Sequence, residues 1–490
     1  MTVEMKKNIV LMCFLGCTML GGCDILDVKP VSTITSDSFW QNSSDAKAYL
    51  TGIYNRVRAL YNTSYYGEDR GDAFKAGEIG PVSVAWSQEL LESNAPSYRN
   101  AYAIIHHCNL LFYYIDGLSF GQEAEKKRIM AETYFLRAYT YFLLLRSWGE
   151  VPVIEEPTLT DEVDLKPRSS KAQVMEVILT DIESALSLFP EEGYVNKNYA
   201  SKPAAYALKA DVLMWKAKVL KGGEADLTEA VKAIDRVEAS GVSLLPEYAK
   251  VFANDNKKNA EIIFSFYMER YETGNLSIAT NTTSRTDNLS MAVNLGDAAT
   301  SPNQSRHVYA PSDKVRAMYL KNEGDVRYKS ALIDMVDKDG GLILTQTNKF
   351  RGKAYADDRY FDDDLIAYRW ADLLLLRAEA NAAMGRTDVA LTDLNQVRRR
   401  AGLADYDGAT DKLSLEKELC DERLRELFIE QKRWFDLMRF HAGGSVNIYD
   451  EVPNLNGKSG CPLYLPINYN DMVLNELLVQ TEGYESNVNR

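Results

Sequence analysis

Histidine is scarce in this sequence, which has only four histidines among 490 residues. Two of them, His106 and His107, are adjacent on a predicted helix, where neighbouring side chains point about 100° apart. They cannot easily bind one metal ion together, so a histidine metal site is not expected. The motifs His-Glu-x-x-His and Cys-x-x-Cys are absent as well, which removes the usual scaffolds of zinc proteases and thiol oxidoreductases.

The sequence also lacks an excess of basic charge and long apolar runs. Lysine and arginine total 56 against 70 aspartates and glutamates, which gives a net charge of -14 at pH 7. A chain with this balance repels a phosphate backbone, so a nucleic-acid partner is not expected. A membrane-spanning helix needs about 20 apolar residues, whereas the run 9–20 has about 12. A membrane anchor made of protein is therefore disfavoured.

The N-terminus has the organisation of an export signal. Basic residues 6–7 precede the apolar run 9–20, and small residues follow it. This order is typical of a secretory signal peptide. The sequence Leu20-Gly21-Gly22-Cys23 resembles a bacterial lipobox, in which the cysteine receives a diacylglycerol and becomes the first residue of the mature protein. We predict lipidation of Cys23; the alternative is an ordinary signal peptide with a fortuitous cysteine.

Cysteine is too rare for a fold supported by disulfides. Once Cys23 is acylated and the signal peptide is removed, Cys108, Cys420 and Cys461 remain, which allows at most one intramolecular disulfide. Cys108 lies in an apolar stretch, where a small buried thiol is expected.

Helical periodicity dominates the sequence after residue 38. Apolar residues recur every three to four positions in several long windows, which is the pattern of helices that pack on a core. The predicted helices span 46–61, 98–115, 125–147, 170–188, 202–220, 227–240, 365–384, 389–400 and 415–439. We therefore predict a mainly α fold.

Three of these windows share a short signature, Leu-Arg-Ala or Leu-Lys-Ala, which begins at Leu136, Leu208 and Leu376. Small and large residues that alternate on one face let paired helices pack closely. Around the third signature, a helix that ends at Gly385 and a second that reaches Val397 form a unit of about 34 residues, the length of a tetratricopeptide repeat. We predict a tetratricopeptide-like helical-repeat scaffold; generic antiparallel helix pairs are the alternative.

Short strands and long irregular loops interrupt the helices between about 247 and 361. Residues 261–266 are rich in β-prone side chains and predict a strand. Residues 331–336 and 342–347 predict a hairpin that turns at Asp339-Gly340-Gly341.

Three further runs are interpreted as structural. The acidic run 362–364 lacks the spaced ligands of a calcium loop and predicts a solvated acidic loop. The basic run 398–400 precedes Gly402 and is placed to interact with the negative end of a helix. Gly457-Lys458-Ser459 resembles part of a phosphate loop, but Val452 occupies the position of the required first glycine, so nucleotide binding is rejected.

A series of short motifs extends over nearly the whole mature sequence. In chain order they are Cys23-Asp24-Ile25-Leu26-Asp27-Val28-Lys29-Pro30, Leu136-Arg137-Ala138 with Tyr141-Phe142, Trp148-Gly149-Glu150-Val151-Pro152, Ala378-Glu379-Ala380, Leu394-Asn395-Gln396-Val397-Arg398, Arg400-Ala401-Gly402-Leu403, Glu422-Arg423 with Glu426-Leu427 and Glu430, Arg433-Trp434-Phe435-Asp436-Leu437, Leu465-Pro466-Ile467, and Gly483-Tyr484. Each motif is weak alone. Together and in this order they resemble the SusD/RagB family, the surface lipoproteins that partner TonB-dependent transporters in Bacteroidetes.

The resemblance implies a lipoprotein anchored in the outer membrane and facing the cell exterior. Its tetratricopeptide-like units would face a SusC-like TonB-dependent transporter, and its irregular outer region would bind a nutrient oligomer, with an oligosaccharide as the expected ligand. Such a protein performs no covalent chemistry and uses no cofactor or metal. A RagB-like peptide-binding subunit, a surface glycoside hydrolase and a protein-binding repeat adaptor are the alternatives.

The predicted organisation has four parts. A signal peptide (1–22) is followed by a polar, proline-containing tether (23–37) that links the lipid to the folded body. The resemblance implies that the rest forms two SusD-like regions, 38–245 and 246–490, interwoven in one body.

Sugars combine flat C–H patches with hydroxyl groups, so a sugar site needs aromatic faces beside polar side chains. The stretch 61–86 supplies both in a glycine-punctuated segment without helical periodicity. The ligand-binding residues predicted there are Tyr65, Tyr66, Asp69, Arg70, Asp72 and Trp86. A second candidate is the long polar segment 275–303 with its continuation. The residues predicted there are Arg285, Asp287, Asn288 and His307. In both segments the alternative is that a residue only pins its loop to the scaffold.

Overall fold

Helices are the main elements of the computed structural model, which describes residues 39–160, 163–486 and 488. The longer helices of this part are α1 (Ser43–Tyr61), α2 (Arg99–Ile115), α3 (Glu123–Trp148), α4 (Lys171–Leu188), α5 (Lys202–Lys218), α6 (Glu224–Glu238), α7 (Trp370–Ala383), α8 (Thr387–Arg400), α9 (Lys412–Leu427) and α10 (Arg433–Gly443). The shorter helices are Val84–Ser87, Tyr248–Val251, Ser277–Thr282, Asp313–Lys321, Tyr328–Ala331, Ile448–Glu451 and Tyr469–Leu474.

The predictions for the N-terminus lie outside the described residues. They concern the signal peptide (1–22), the lipidation of Cys23 and the tether (23–37). In the part of the chain that the structure describes, no helix combines the length and the apolar composition needed to cross a bilayer.

Consecutive long helices pack in pairs, as the repeat signature predicts. Helix α3 packs on α4, α5 on α6, and α7 on α8. The signature arginine joins two of these pairs: Nη2 of Arg137 lies 2.7 Å from Oδ1 of Asp181 in α4, and Nε of Arg377 lies 2.8 Å from Oδ2 of Asp393 in α8. The prediction of a mainly α, tetratricopeptide-like scaffold is confirmed.

The strands form small antiparallel sheets that interrupt the helices. They are β1 (Phe74–Ala76), β2 (Ile262–Phe266), β3 (Tyr309–Pro311), β4 (Leu332–Val336), β5 (Leu342–Thr347), β6 (Lys353–Ala354), β7 (Arg359–Tyr360) and β8 (Leu365–Arg369). The pairs are β1 with β3, β2 with β8, β4 with β5, and β6 with β7. The predicted hairpin is confirmed as β4–β5, and its turn uses Gly340 at a φ of +80°, a conformation that favours glycine.

Two predicted helices differ from the structure. The first residues of the window 365–384 form the strand β8, and all five side chains of β8 are buried. A strand buried on both faces is a continuous apolar run, which periodicity cannot distinguish from a helix. The window 415–439 is two helices, because Ile429 and Gln431 adopt left-handed φ values of +57° and +61° between α9 and α10.

One hydrophobic core contains side chains from both halves of the chain, from Ala46 to Leu478. Cys108 is buried within it, as predicted, and burial raises the pKa of its thiol to about 12.

The acidic run 362–364 is not solvated: its three side chains are buried, and Asp364 accepts hydrogen bonds from Asn198 and from the N–H of Met268. Internal donors replace water at these carboxylates, so the prediction of a solvated loop is wrong.

Candidate functional site

A two-stranded sheet joins the first predicted ligand loop to the end of the second. Strand β1 pairs with β3, and beyond the sheet the N–H of Gly77 donates to the carbonyl oxygen of Val308 at 2.8 Å. A Cβ at Gly77 would lie 2.0 Å from the carbonyl oxygen of His307, so this close approach requires glycine. We call the segments 74–86 and 305–311 together the loop junction.

Asp69 lies beneath the loop junction and holds its two segments together. Its Oδ2 accepts hydrogen bonds from the hydroxyl groups of Ser83, at 2.7 Å, and Tyr309, at 2.9 Å. Ser83 in turn caps the short helix that carries Trp86. The side chain of Asp69 is buried, and burial raises its pKa above the usual range. Asp69 therefore positions Trp86, and the prediction that this carboxylate contacts a ligand is corrected.

Arg70 and Asp72 are also parts of the interior, each only 1% exposed. The guanidinium of Arg70 donates from Nη2 to the carbonyl oxygen of Pro462 at 2.8 Å. Asp72 binds Arg433 and Lys314, each at 2.6 Å. Burial alone would raise the pKa of Asp72, but these two cations lower it below its usual range. Both side chains are occupied by internal partners, so the prediction that they bind a ligand is corrected as well.

The aromatic residues predicted in the first loop are half-buried. The rings of Tyr65 and Tyr66 meet edge to face at 5.6 Å, and Tyr66 also packs on Trp148 at 5.7 Å. Nε1 of Trp86 donates to the carbonyl oxygen of Phe74 at 3.2 Å. These contacts fix the rings and leave part of each at the surface, so Tyr65, Tyr66 and Trp86 stay in the predicted site.

The second loop presents polar side chains to solvent. Arg285, Asp287 and Asn288 are exposed, and the Arg285 guanidinium lies 3.7 Å from the Asp287 carboxylate. The loop is anchored next to them by Leu289, which is buried with Met335 in a small hydrophobic cluster beside the main core. The buried anchor fixes the loop beside these exposed polar groups, and ligand binding by Arg285 and Asn288 stays a prediction.

His307 does not belong to the exposed part of this loop, contrary to the prediction. It is 1% exposed, and its backbone N–H donates to the carbonyl oxygen of Thr283 at 2.9 Å. Its Nδ1 accepts from the N–H of Glu78 at 3.3 Å. Burial lowers the pKa of His307 to about 4, so the ring is neutral at pH 7. His307 thus joins the two predicted loops to each other instead of contacting a ligand.

Sequence reasoning missed a group of tyrosines around Arg270. The Arg270 guanidinium lies 4.5 Å from the ring centre of Tyr271, 4.5 Å from that of Tyr355 and 4.1 Å from that of Tyr360. It also pairs with Asp357. Tyr271 is 81% exposed, so its ring is supported by a cation and remains open to solvent. We call these five residues the tyrosine group.

The end of the second predicted loop connects the tyrosine group to the loop junction. Ser301 donates to Oδ1 of Asp358 at 2.7 Å, next to Asp357 of the tyrosine group. A few residues later the same segment reaches His307 and enters the loop junction. We call the accessible parts of the loop junction, of residues 285–288 and of the tyrosine group the outer surface. It combines aromatic rings with charged and amide side chains.

One sequence pattern associated with serine nucleophiles lacks the local structure that such a nucleophile needs. Gly117-Leu118-Ser119-Phe120-Gly121 has the pattern Gly-x-Ser-x-Gly, but it lies between the helices α2 and α3, whereas a nucleophile elbow joins a strand to a helix. Across the described ranges, no group of three or more histidine, cysteine, aspartate or glutamate residues is arranged to hold a metal ion.

Comparison with family models covers most of the sequence. Residues 238–484 match the model described as the SusD family. Residues 24–214 match the model described as "Starch-binding associating with outer membrane". The first match alone extends over half of the chain.

Individual relatives align over nearly the full length. SusD-like protein P38 of Formosa agariphila is 26% identical, over 98% of this chain and 100% of that protein. The starch-binding protein SusD of Bacteroides thetaiotaomicron is 24% identical, over 94% of this chain and 95% of that protein. Among solved structures, a SusD superfamily protein from Bacteroides fragilis has a TM-score of 0.81 at 26% identity, over 91% of this chain and all of the other. A laminarin binding SusD-like protein has the same fold, with a TM-score of 0.75 at 21% identity, over 91% of this chain and 100% of that one.

Proposed function

Because the chain belongs to the SusD family, we propose that it is an outer-membrane lipoprotein that binds an oligosaccharide at the outer surface and delivers it to a SusC-like TonB-dependent transporter. Two relatives support a carbohydrate ligand, since one is named a starch-binding protein and another a laminarin binding protein. In this proposal the protein holds its ligand without altering it, which suits a surface that combines aromatic rings with polar side chains.

The observation that carries the proposed ligand class is the exposure of Tyr271. The Arg270 guanidinium, which also contacts Tyr355 and Tyr360, lies 4.5 Å from the centre of this ring and supports it, so part of the side-chain freedom is already lost before a ligand binds. A pyranose can place its C–H face on such a ring, while Arg285 and Asn288 offer donors to its hydroxyl groups. Trp86, Tyr65 and Tyr66 would extend the aromatic part of the surface.

Replacing Tyr271 with alanine is expected to weaken oligosaccharide binding by about 1–3 kcal/mol, because the variant loses the ring on which the sugar stacks. Isothermal titration calorimetry of the chain without the signal peptide and the lipidated cysteine (the soluble chain) with starch and laminarin oligosaccharides measures the change in affinity. The stability of the variant should stay close to that of the wild type, since the side chain is 81% exposed.

The control is Tyr113→Ala, which removes another exposed tyrosine, 55% accessible on α2. Its affinity for the sugar should equal that of the wild type. Equal sugar affinities for Tyr271→Ala and Tyr113→Ala would remove the tyrosine group from the site. A wild-type chain that binds peptides but none of the glycans would instead favour the RagB-like alternative, and release of shortened products would favour a hydrolase.

Replacing Cys23 with alanine is expected to move the protein from the membrane fraction to the soluble fraction, because the acyl chains that hold it can no longer be attached. Fractionation and metabolic labelling with a fatty acid measure the change. Cys17→Ala is the matched control: Cys17 lies within the predicted signal peptide, so this variant should stay membrane-bound and labelled. The proposed anchor is refuted if Cys23→Ala remains labelled. Co-isolation of the wild type with a TonB-dependent transporter from solubilised outer membranes tests the proposed partner.

A further inference from the structure

A cavity of about 370 Å³ lies between α1, α3 and the segment 189–201. Its wall is mainly apolar and includes Leu50, Ile129 and Phe189. Cavities of this size and apolar character are typical of sites for small molecules. No residue of this cavity belongs to the loop junction or to the tyrosine group.

The wall contains one carboxylate whose charge is not balanced. Glu132 is 6% exposed, and its Oε2 accepts a hydrogen bond from the hydroxyl of Tyr54 at 2.7 Å. Tyr54 is itself held in place, because its oxygen also accepts from the N–H of Ala200 at 2.8 Å. Oε1 of Glu132 has no hydrogen-bond partner in the described part of the chain, although Glu132 lines the cavity.

The other charged groups of the wall are paired with one another. Lys47 binds Glu125, and Arg128 binds Glu191. These pairs cancel, so Glu132 is the acidic group of the described wall that has no cationic partner of its own, and it adds a negative charge to the cavity when it is ionised. Burial raises the pKa of Glu132 to about 7, because the interior disfavours its ionised form. A cation placed in the cavity would supply both the missing donor and the missing charge.

We propose that this cavity binds a small molecule with a hydrocarbon body and one primary ammonium group, which donates to Glu132. The apolar wall takes the hydrocarbon part, and the two ion pairs at the wall leave the Glu132 carboxylate as the single free partner for the ammonium. The proposal concerns a site separate from the outer surface, and it holds or fails independently of the sugar-binding function.

The test compares n-hexylamine with n-hexanol, which has the same hydrocarbon chain without the charge. By calorimetry at pH 8 with the full soluble chain, hexylamine should bind at least about tenfold more tightly than hexanol, as a hydrogen bond to a charged group predicts. In Glu132→Gln this preference should disappear, while the affinity for hexanol stays the same. The glutamine keeps an acceptor for Tyr54, so the variant should fold, which circular dichroism checks.

The matched control is Glu125→Gln, which removes a carboxylate that is already paired with Lys47 and should keep the preference for hexylamine. The preference of the wild type should also weaken from pH 8 to pH 6 as Glu132 takes up a proton. The ionisable groups that line the cavity with Glu132 are Tyr54, Tyr199, Arg128, Glu191, Lys47 and Glu125. Equal affinity for the two ligands, no binding of either, or an unchanged preference in Glu132→Gln would overturn the proposal.

Discussion

Replacing Arg369 with methionine is expected to lower the free energy of unfolding by about 3–5 kcal/mol, the usual cost of removing one partner from a buried ion pair. Arg369 is 0% exposed and donates to three carboxylates. Nη1 lies 2.7 Å from Glu261 and 2.6 Å from Glu426, and Nε lies 2.7 Å from Glu430. Urea denaturation followed by circular dichroism measures the loss.

The size of this effect follows from the network around Arg369. Glu426 also binds Arg327 and Arg400, and Glu430 also binds Lys349, so each buried carboxylate is shared between cations. Burial alone would raise the pKa of Glu426, but the surrounding arginines lower it below the usual range. Without Arg369 these carboxylates either keep an uncompensated charge or take up protons, and both outcomes destabilise the fold at pH 7.

Arg399→Met provides the control for lost charge at the surface. The Arg399 side chain is 62% exposed and pairs with Asp405, so its replacement should leave the free energy of unfolding nearly unchanged. If Arg369→Met is as stable as Arg399→Met, the buried network contributes no net stabilisation.

Replacing Gly67 with alanine is expected to lower the free energy of unfolding by about 3 kcal/mol, the upper end of the range for overpacking. A Cβ at this position would lie 2.1 Å from the carbonyl oxygen of Gln431. The two segments cannot separate freely, because the N–H of Trp434 donates to the Gly67 oxygen at 2.8 Å and that of Gln431 donates to Glu68 at 2.7 Å. Thermal and urea unfolding of the purified chain measure the loss.

Gly52→Ala is the matched substitution, since Gly52 lies within α1 and has no atom within 4 Å of its ideal Cβ position. Alanine should stabilise this helix by about 0.5–1 kcal/mol. The two variants therefore should move in opposite directions. If Gly67→Ala is as stable as the wild type, the close approach of the first ligand loop to the start of α10 does not exist.

Local pattern was enough to predict most elements. Repeated apolar spacing predicts α3 and α4 closely, and Asp339-Gly340-Gly341 predicts the turn of the β4–β5 hairpin. Pattern failed at β8, where a strand buried on both sides has no alternation to recognise. The basic run 398–400 lies in the last turn of α8 before Gly402, as predicted, but the local pattern did not indicate that Arg400 also binds Glu261 and Glu426 in the interior.

At the candidate site, local sequence pattern predicts even less, because it does not show which side chains the fold buries. Loop 61–86 mixes rings and charges and therefore predicts a sugar site, but Asp72 is buried and bound by Lys314 and Arg433, which lie more than two hundred residues further along the chain. The tyrosine group was missed for the same reason. Tyr271 becomes a supported ring only when the fold brings Tyr360 to Arg270, and no local feature of the sequence indicates that meeting.

The sequence by itself determined the helical class of the scaffold and, through the order of its motifs, the family, because these depend on spacing between near neighbours along the chain. Only the tertiary structure decided which polar side chains serve the interior and which lie at the surface. Burial and charge pairing are set by residues distant in sequence. They make Asp69 a hydrogen-bond acceptor that supports the loop junction, leave the ring of Tyr271 exposed, and put Glu132 in the wall of a cavity.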